Sequence, residues 1–263
     1  MDNISQIKKV MTFSISVYLL WIIATYLLEG RILTLLRPEA VVDRIAYTVT
    51  ANIVVGILVA AWVLRSSLIS GFVSPEQIGF RSLCHTLTAA VIAGVTGFGL
   101  FMVQNPPSLN TIVIMNVFAQ VLTVSVAEVV ICWAVIGAGF ESLTRSKGKV
   151  ISLLAGIFAA SISFGIYHFA HSPPFNQINM VLLLTIISFA TGIVYFIGRD
   201  IYAAIIFHNT LALFGVMQAL EKSGNLISYS QPVYPLIAMA LVSVFIFVIF
   251  DILYIRRKME VIE

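Results

Sequence analysis

Apolar residues run along this chain in long unbroken blocks, and the polar residues gather between the blocks rather than alternating within them. A helix rising 1.5 Å per residue needs about 20 mostly apolar residues to cross the hydrocarbon of a bilayer. Blocks of that kind lie at residues 10–28, 45–64, 84–103, 111–140, 150–171, 180–197, 201–220 and 236–255. They predict an all-α fold, a polytopic transmembrane helix bundle of eight spanning helices, with residues 1–263 forming a single integral membrane domain. The fourth block is longer than a bilayer requires, which predicts that it tilts or projects beyond it. No internal repeat or low-complexity linker is visible between the blocks. Lys8 and Lys9 precede the first block, but no small-residue cleavage site follows it, so it reads as an anchor rather than a secretory leader.

Composition points the same way. The chain is 60% hydrophobic and 10% charged, with a mean hydropathy of +1.02. A soluble domain has too few buried positions for that much apolar surface, whereas lipid accepts it. The net charge of +3 is not a nucleic-acid signal, because the basic residues sit in short loops. Their distribution instead sets an expected orientation. With the N-terminus cytoplasmic, inside loops and tails hold Lys8, Lys9, Arg65, Arg81, Arg145, Lys147, Lys149, Arg199, Arg256, Arg257 and Lys258. Outside loops then hold only Arg31, Arg37, Arg44 and Lys222. The expectation is a multi-pass protein of the cell membrane with both termini cytoplasmic. The first outside loop, "EGRILTLLRPEAVVDR", mixes acids with arginines and reads as an amphipathic piece lying along the interface. Cys84 and Cys132 have no partner at metal-motif spacing and read as small buried hydrophobes.

Four ionisable residues lie well inside the apolar blocks: Glu128 in "VSVAEVVICW", His168 and His171 in "FGIYHFAH", and His208 in "IIFHNTLALFG". Ionisable groups at that depth are expensive unless paired or facing a cavity, so each is a candidate functional residue. The plainer reading of any one of them is a hydrogen bond between packed helices. Glu128, His168 and His208 together, on three helices, are a richer set. One carboxylate and two imidazoles can ligate zinc with a position left open for water. They can equally work without metal, a desolvated glutamate serving as general base. Elsewhere, Asp251 reads as an interfacial partner of Arg256, Arg257 and Lys258, His85 as an interfacial residue, and Arg199 with Asp200 as a solvated pair in a short turn.

The order of these residues resembles the CPBP family, which includes the CAAX prenyl proteases and the bacteriocin-processing or immunity proteins called Abi. That family has a glutamate motif EExxxR in one membrane helix, then FxxxH, then HxxxN. Here FxxxH is matched by "FGIYH", Phe164 to His168, and the last motif begins at His208 in "HNTLA". "SPEQIGFRS", residues 74–82, is similar to the LGLR-type stretch before a membrane helix of the family, and "GRDIYAAIIFH", 198–208, to the turn and run before its last histidine. The resemblance covers about residues 74–215. It implies an intramembrane endopeptidase acting on a peptide or membrane-protein substrate, with catalytic residues Glu128, His168 and His208. Glu128 and His168 would activate a water and His208 would stabilise the oxyanion. The same three residues would be the ligands if the enzyme holds zinc, though a metal-free site is equally compatible. His171 and Asn209 would be supporting residues.

The chain also departs from the pattern. With Glu128 as the first glutamate of the pair, Val129 replaces the second and Trp133 stands at the arginine position; with Glu128 as the second, Ala127 and Cys132 take those places. The first alignment is preferred because Ala134 then matches the small residue after the arginine. The asparagine of HxxxN is Ala212. Asn209 is about 100° round the helix from His208 and does not replace a residue one turn on. These losses leave two further readings: an inactive family member acting as an immunity or partner-binding protein, and a small proton-coupled transporter. Counting residues also predicts that His168, late in its helix, and His208, early in another running the same way, differ in depth by about 10–15 Å. The uncharged "SPPFNQIN" stretch is expected to dip into the protein.

Overall fold

A computed structural model of the chain describes residues 3–256. Among the described residues every regular element is helical, with no strand. Among the described residues, eight helices are long and apolar enough to span a membrane: α1 Gln6–Gly30, α2 Val41–Ile69, α3 Leu83–Val103, α4 Thr111–Leu143, α5 Lys149–Ala170, α6 Ile178–Gly198, α7 Ile201–Lys222 and α8 Tyr234–Ile255. The protein is a multi-pass membrane protein. Large apolar side chains such as Leu19, Val91, Ile186 and Phe245 are exposed on its outer surface, where lipid rather than water covers them.

α4 is the centre of the bundle. Its apolar window is 89% buried, against 17% for that of α3, and it packs against α1, α2, α5, α7 and α8. That explains its length: a helix surrounded by protein is not held to the thickness of the bilayer. α4 and α5 approach through small residues, as membrane helices do when no water drives them together. A Cβ on Gly156 would lie 3.0 Å from the Gly137 carbonyl oxygen and 2.7 Å from the Phe196 ring. Gly156→Val is therefore expected to push α5 off α4 and to destabilise the protein by about 1–3 kcal/mol. A lowered unfolding midpoint in detergent checks this.

The other end of the fold is tied by polar contacts. In the "SPEQIGFRS" stretch Ser74 and Gln77 form a reciprocal capping box, and Gly79 adopts φ 89°. Gly79 also accepts from Ile201 N at 3.0 Å, so a side chain there would strike the start of α7. The Tyr195 hydroxyl of α6 donates to the carbonyls of Gln77 and Ile78 at 3.1 and 2.8 Å. The segment before α3 and the turn before α7 thus close on one another and fix where α7 begins.

Several polar residues behave differently from the sequence expectation. Arg199 and Asp200 are not a solvated pair. Asp200 is fully buried; it caps α7 by accepting from Ala203 N at 2.9 Å and accepts from the Thr86 hydroxyl at 2.6 Å. Arg199 instead forms a bidentate pair with Glu141. Burial works against the Arg199 charge, but this carboxylate outweighs it and raises the guanidinium's already high pKa. Cys84 is exposed on the lipid-facing side of α3, whereas Cys132 is buried as expected. Asp251 is buried and accepts from the Tyr202 hydroxyl at 2.7 Å; the side chains of Arg256, Arg257 and Lys258 lie outside the described residues. His85 is exposed, with Nε2 3.2 Å from the Gly198 carbonyl.

The "EGRILTLLRPEAVVDR" segment is only partly interfacial. Its first and last charges, Glu29 and Arg44, are buried. Arg44 donates to the Tyr229 hydroxyl at 3.0 Å, to Gln120 at 3.3 Å and to the Thr34 carbonyl at 3.1 Å. A guanidinium with five donors can satisfy several acceptors at once, which makes its burial tolerable. In the "SPPFNQIN" stretch only Ser172 and Phe175 are buried, while Pro173, Gln177, Ile178 and Asn179 are exposed, so the stretch dips inward at two side chains rather than as a whole.

Candidate active site

Glu128 lies in the middle of α4, immediately before a segment, Val129–Gly137, in which the helix widens to π-type turns. Such widening is frequent at functional sites. The carboxylate is 4% exposed and reaches two helices. Its Oε2 is 2.9 Å from His208 Nε2 on α7, and its Oε1 is 4.0 Å from His168 Nε2 on α5. The three residues singled out from the sequence therefore meet around one carboxylate.

The hydrogen bonds fix the imidazole tautomers. His168 Nδ1 lies 2.8 Å from the Phe164 carbonyl, one turn back. A carbonyl only accepts, so Nδ1 carries the proton and Nε2 keeps its lone pair towards Glu128. His208 is reversed. With Glu128 ionised, Nε2–H donates to the carboxylate, and Nδ1 accepts from the Thr191 hydroxyl at 3.0 Å. The 4.0 Å between Glu128 and His168 is too long for a hydrogen bond and short enough for one water at the side to bridge both atoms.

The difference in depth is smaller than residue counting implies. The Phe164 ring contacts both imidazoles, 4.4 Å from that of His168 and 4.9 Å from that of His208, centroid to centroid. One ring therefore touches both imidazoles, so their side chains meet although their positions along the two helices differ. The phenylalanine of FxxxH packs against both imidazoles. Trp133 packs beside it, 5.2 Å from the His208 ring.

His171 and Asn209 sit in different settings. His171 is buried, and its Nδ1 is 3.1 Å from Glu29 Oε2. Asn209 ties α7 to α4: its side chain accepts from the Ser125 hydroxyl at 3.2 Å and donates to the Phe118 carbonyl at 3.3 Å. These hydrogen bonds join the two helices and do not involve Glu128.

Glu29 is the residue that sequence reasoning missed. It closes α1 fully buried, and accepts from Ser172 N at 2.8 Å, from the Ser172 hydroxyl and from His171. In "LLEGR" it looked like the first residue of a charged loop. The signal that could have found it is its position directly after an apolar run, before a glycine. Gly30 itself touches the Ala170 carbonyl, where a Cβ would overlap, so α1 meets the end of α5 here. Glu29→Ala leaves His171 Nδ1–H and Ser172 N–H without an acceptor. The expected loss is about 1–3 kcal/mol for each orphaned donor, read as a lower unfolding midpoint, with Glu29→Gln losing less.

These groups lie on a cavity of about 500 Å³, lined by Glu128, His168, His171 and His208 at its polar end and by Leu183, Ile187 and Ala212 along its wall. Leu183 and Ile187 are also exposed on the outer face of α6. The cavity therefore reaches the lipid-facing surface beside α6, which would admit a membrane-borne ligand sideways.

The donor set bears on metal binding. Glu128, His168 and His171 each offer an atom such that all three lie within 4.8 Å of one another. The set drawn from the sequence, with His208 in place of His171, has one imidazole whose two nitrogens are already engaged. No protein-family model, curated protein or solved structure matches this chain.

Proposed function

We propose that this protein is an intramembrane endopeptidase of the CPBP type, hydrolysing a peptide bond in a membrane-associated substrate. The observation that carries the reading is Glu128 placed between His208 and His168 at the polar end of a cavity that opens beside α6. A water seated beside Glu128 Oε1 and His168 Nε2, which are 4.0 Å apart, donates to both acceptors. In the proposed reaction it gives its proton to Glu128 as its oxygen attacks the peptide carbonyl. Protonation weakens the carboxylate's hold on the His208 N–H, which Thr191 keeps pointed into the site, and that N–H then meets the developing oxyanion. Glu128 returns the proton to the departing amine. The substrate enters from lipid, and the lysine and arginine distribution supports an orientation with both chain ends on the cytoplasmic side of a cell membrane.

The test is release of a soluble fragment from lipid-anchored fluorescent peptides in proteoliposomes, comparing prenylated C-terminal peptides with leader peptides. Wild-type protein is expected to release fragment faster than a variant with Glu128, His168 and His208 all changed to alanine. Equal rates across both substrate classes would put the hydrolase reading aside.

A second reading, an inactive relative that binds a peptide or membrane protein in the cavity, is favoured by two substitutions. Ala212 offers no donor, and Trp133 fills the arginine position of the preferred alignment with a buried ring. Partner function that persists in the triple alanine variant would select this reading.

A further inference from the structure

We infer that Glu128, His168 and His171 form a zinc site with Glu29 as its outer-shell carboxylate. Four observations converge on it. First, His171 Nε2 is buried and has no hydrogen-bond partner, while Nδ1 of the same ring is held by Glu29. A carboxylate only accepts here, so Nδ1 carries the proton and Nε2 presents an unpartnered lone pair. Second, His168 has the same arrangement, with Nδ1–H donated to the Phe164 carbonyl and Nε2 free. Carboxylate and backbone carbonyl acceptors behind the ligating imidazoles are the usual outer shell of a metal site. Third, the donor atoms of Glu128, His168 and His171 lie within 4.8 Å of one another. Tetrahedral zinc at about 2.0–2.1 Å from each ligand brings donors to about 3.3–3.5 Å, so closure asks for up to about 1.5 Å of movement.

The fourth observation is charge. Glu29 and Glu128 are both buried, and among the described residues their ion pairs are with histidines alone. Two carboxylates buried in protein without lysine or arginine call for cationic compensation. A divalent ion supplies it. Two imidazoles and a carboxylate are the ligand chemistry of zinc, and three protein ligands leave the fourth position for water or a substrate oxygen from the cavity. Glu128 contributes Oε1, and its Oε2 keeps His208, which is not a ligand.

Zinc held here would take the place of the water proposed to bridge Glu128 Oε1 and His168 Nε2, so the site stands beside the metal-free mechanism as an alternative, and zinc can be held without turnover. Its test reads metal rather than activity. Wild-type protein, stripped with chelator and reconstituted in nanodiscs, is titrated with Zn²⁺ and with Co²⁺, following bound metal per chain and the visible bands of tetrahedral Co²⁺. One ion per chain is expected. His171→Ala should abolish stoichiometric binding, Glu29→Gln should weaken it by about 10–100-fold, and His208→Ala should retain it. His171→Cys, which keeps a ligating atom, should bind Zn²⁺ and guards against a folding defect in the alanine variant. No binding by folded wild-type protein overturns the inference. So does binding that survives His171→Ala but is lost in His208→Ala.

Discussion

Glu128→Gln is expected to lower peptide cleavage by about 10²–10⁴-fold, the range that a positioned general base contributes, and to leave the protein folded. The two side chains have nearly the same shape. A glutamine oxygen at the position of Oε2 still accepts from His208 Nε2–H, so the link between α4 and α7 survives. What is lost is the capacity to take a proton from water. Removing a buried negative charge also relieves desolvation, so the unfolding midpoint in detergent should stay at or above that of the wild type. Cleavage in proteoliposomes and thermal unfolding, measured on the same preparation, separate chemistry from folding. A folded Glu128→Gln protein that cleaves at close to the wild-type rate would remove Glu128 from the mechanism.

The eight spanning helices were legible because lipid imposes one rule on every residue of a span: long, apolar and hydrogen-bonded to itself. The same rule made Glu128, His168 and His208 conspicuous, and they do converge. What stayed hidden lies where the rule weakens, at helix ends. Glu29, Arg44 and Asp200 occur among loop-like residues, yet all three are buried. Each is buried because one side chain satisfies several backbone or side-chain partners contributed by distant segments, and a linear pattern carries no trace of that. Glu29 needs Ser172 and His171, some 140 residues on. Asp200 needs Thr86 on α3. Cys84 failed in the opposite direction: in a membrane helix an apolar neighbourhood does not imply burial in protein, because the outer face is equally apolar. His171 was readable as a buried imidazole, but not its orientation, which depends on Glu29.

Ala212→Asn is expected to raise the cleavage rate by about 10²–10³-fold, the worth of one well-placed oxyanion donor. Ala212 is four residues after His208, so it projects about one turn along the same face of α7, and it lines the same cavity. Asparagine there adds an NH₂ group beside the His208 N–H in a space of about 500 Å³, so added volume is no obstacle. Two further variants isolate the cause. Ala212→Leu fills the same wall without a donor and should give no increase. Glu128→Gln combined with Ala212→Asn should stay at the level of Glu128→Gln alone, because a stabilised oxyanion is of no use without a base to form it. An increase in the single variant that vanishes in the double would tie both residues to one reaction. If Ala212→Asn folds and cleaves no faster, the oxyanion does not form beside α7. The loss of the asparagine would then be better explained by a cavity that holds a peptide partner without cleaving it.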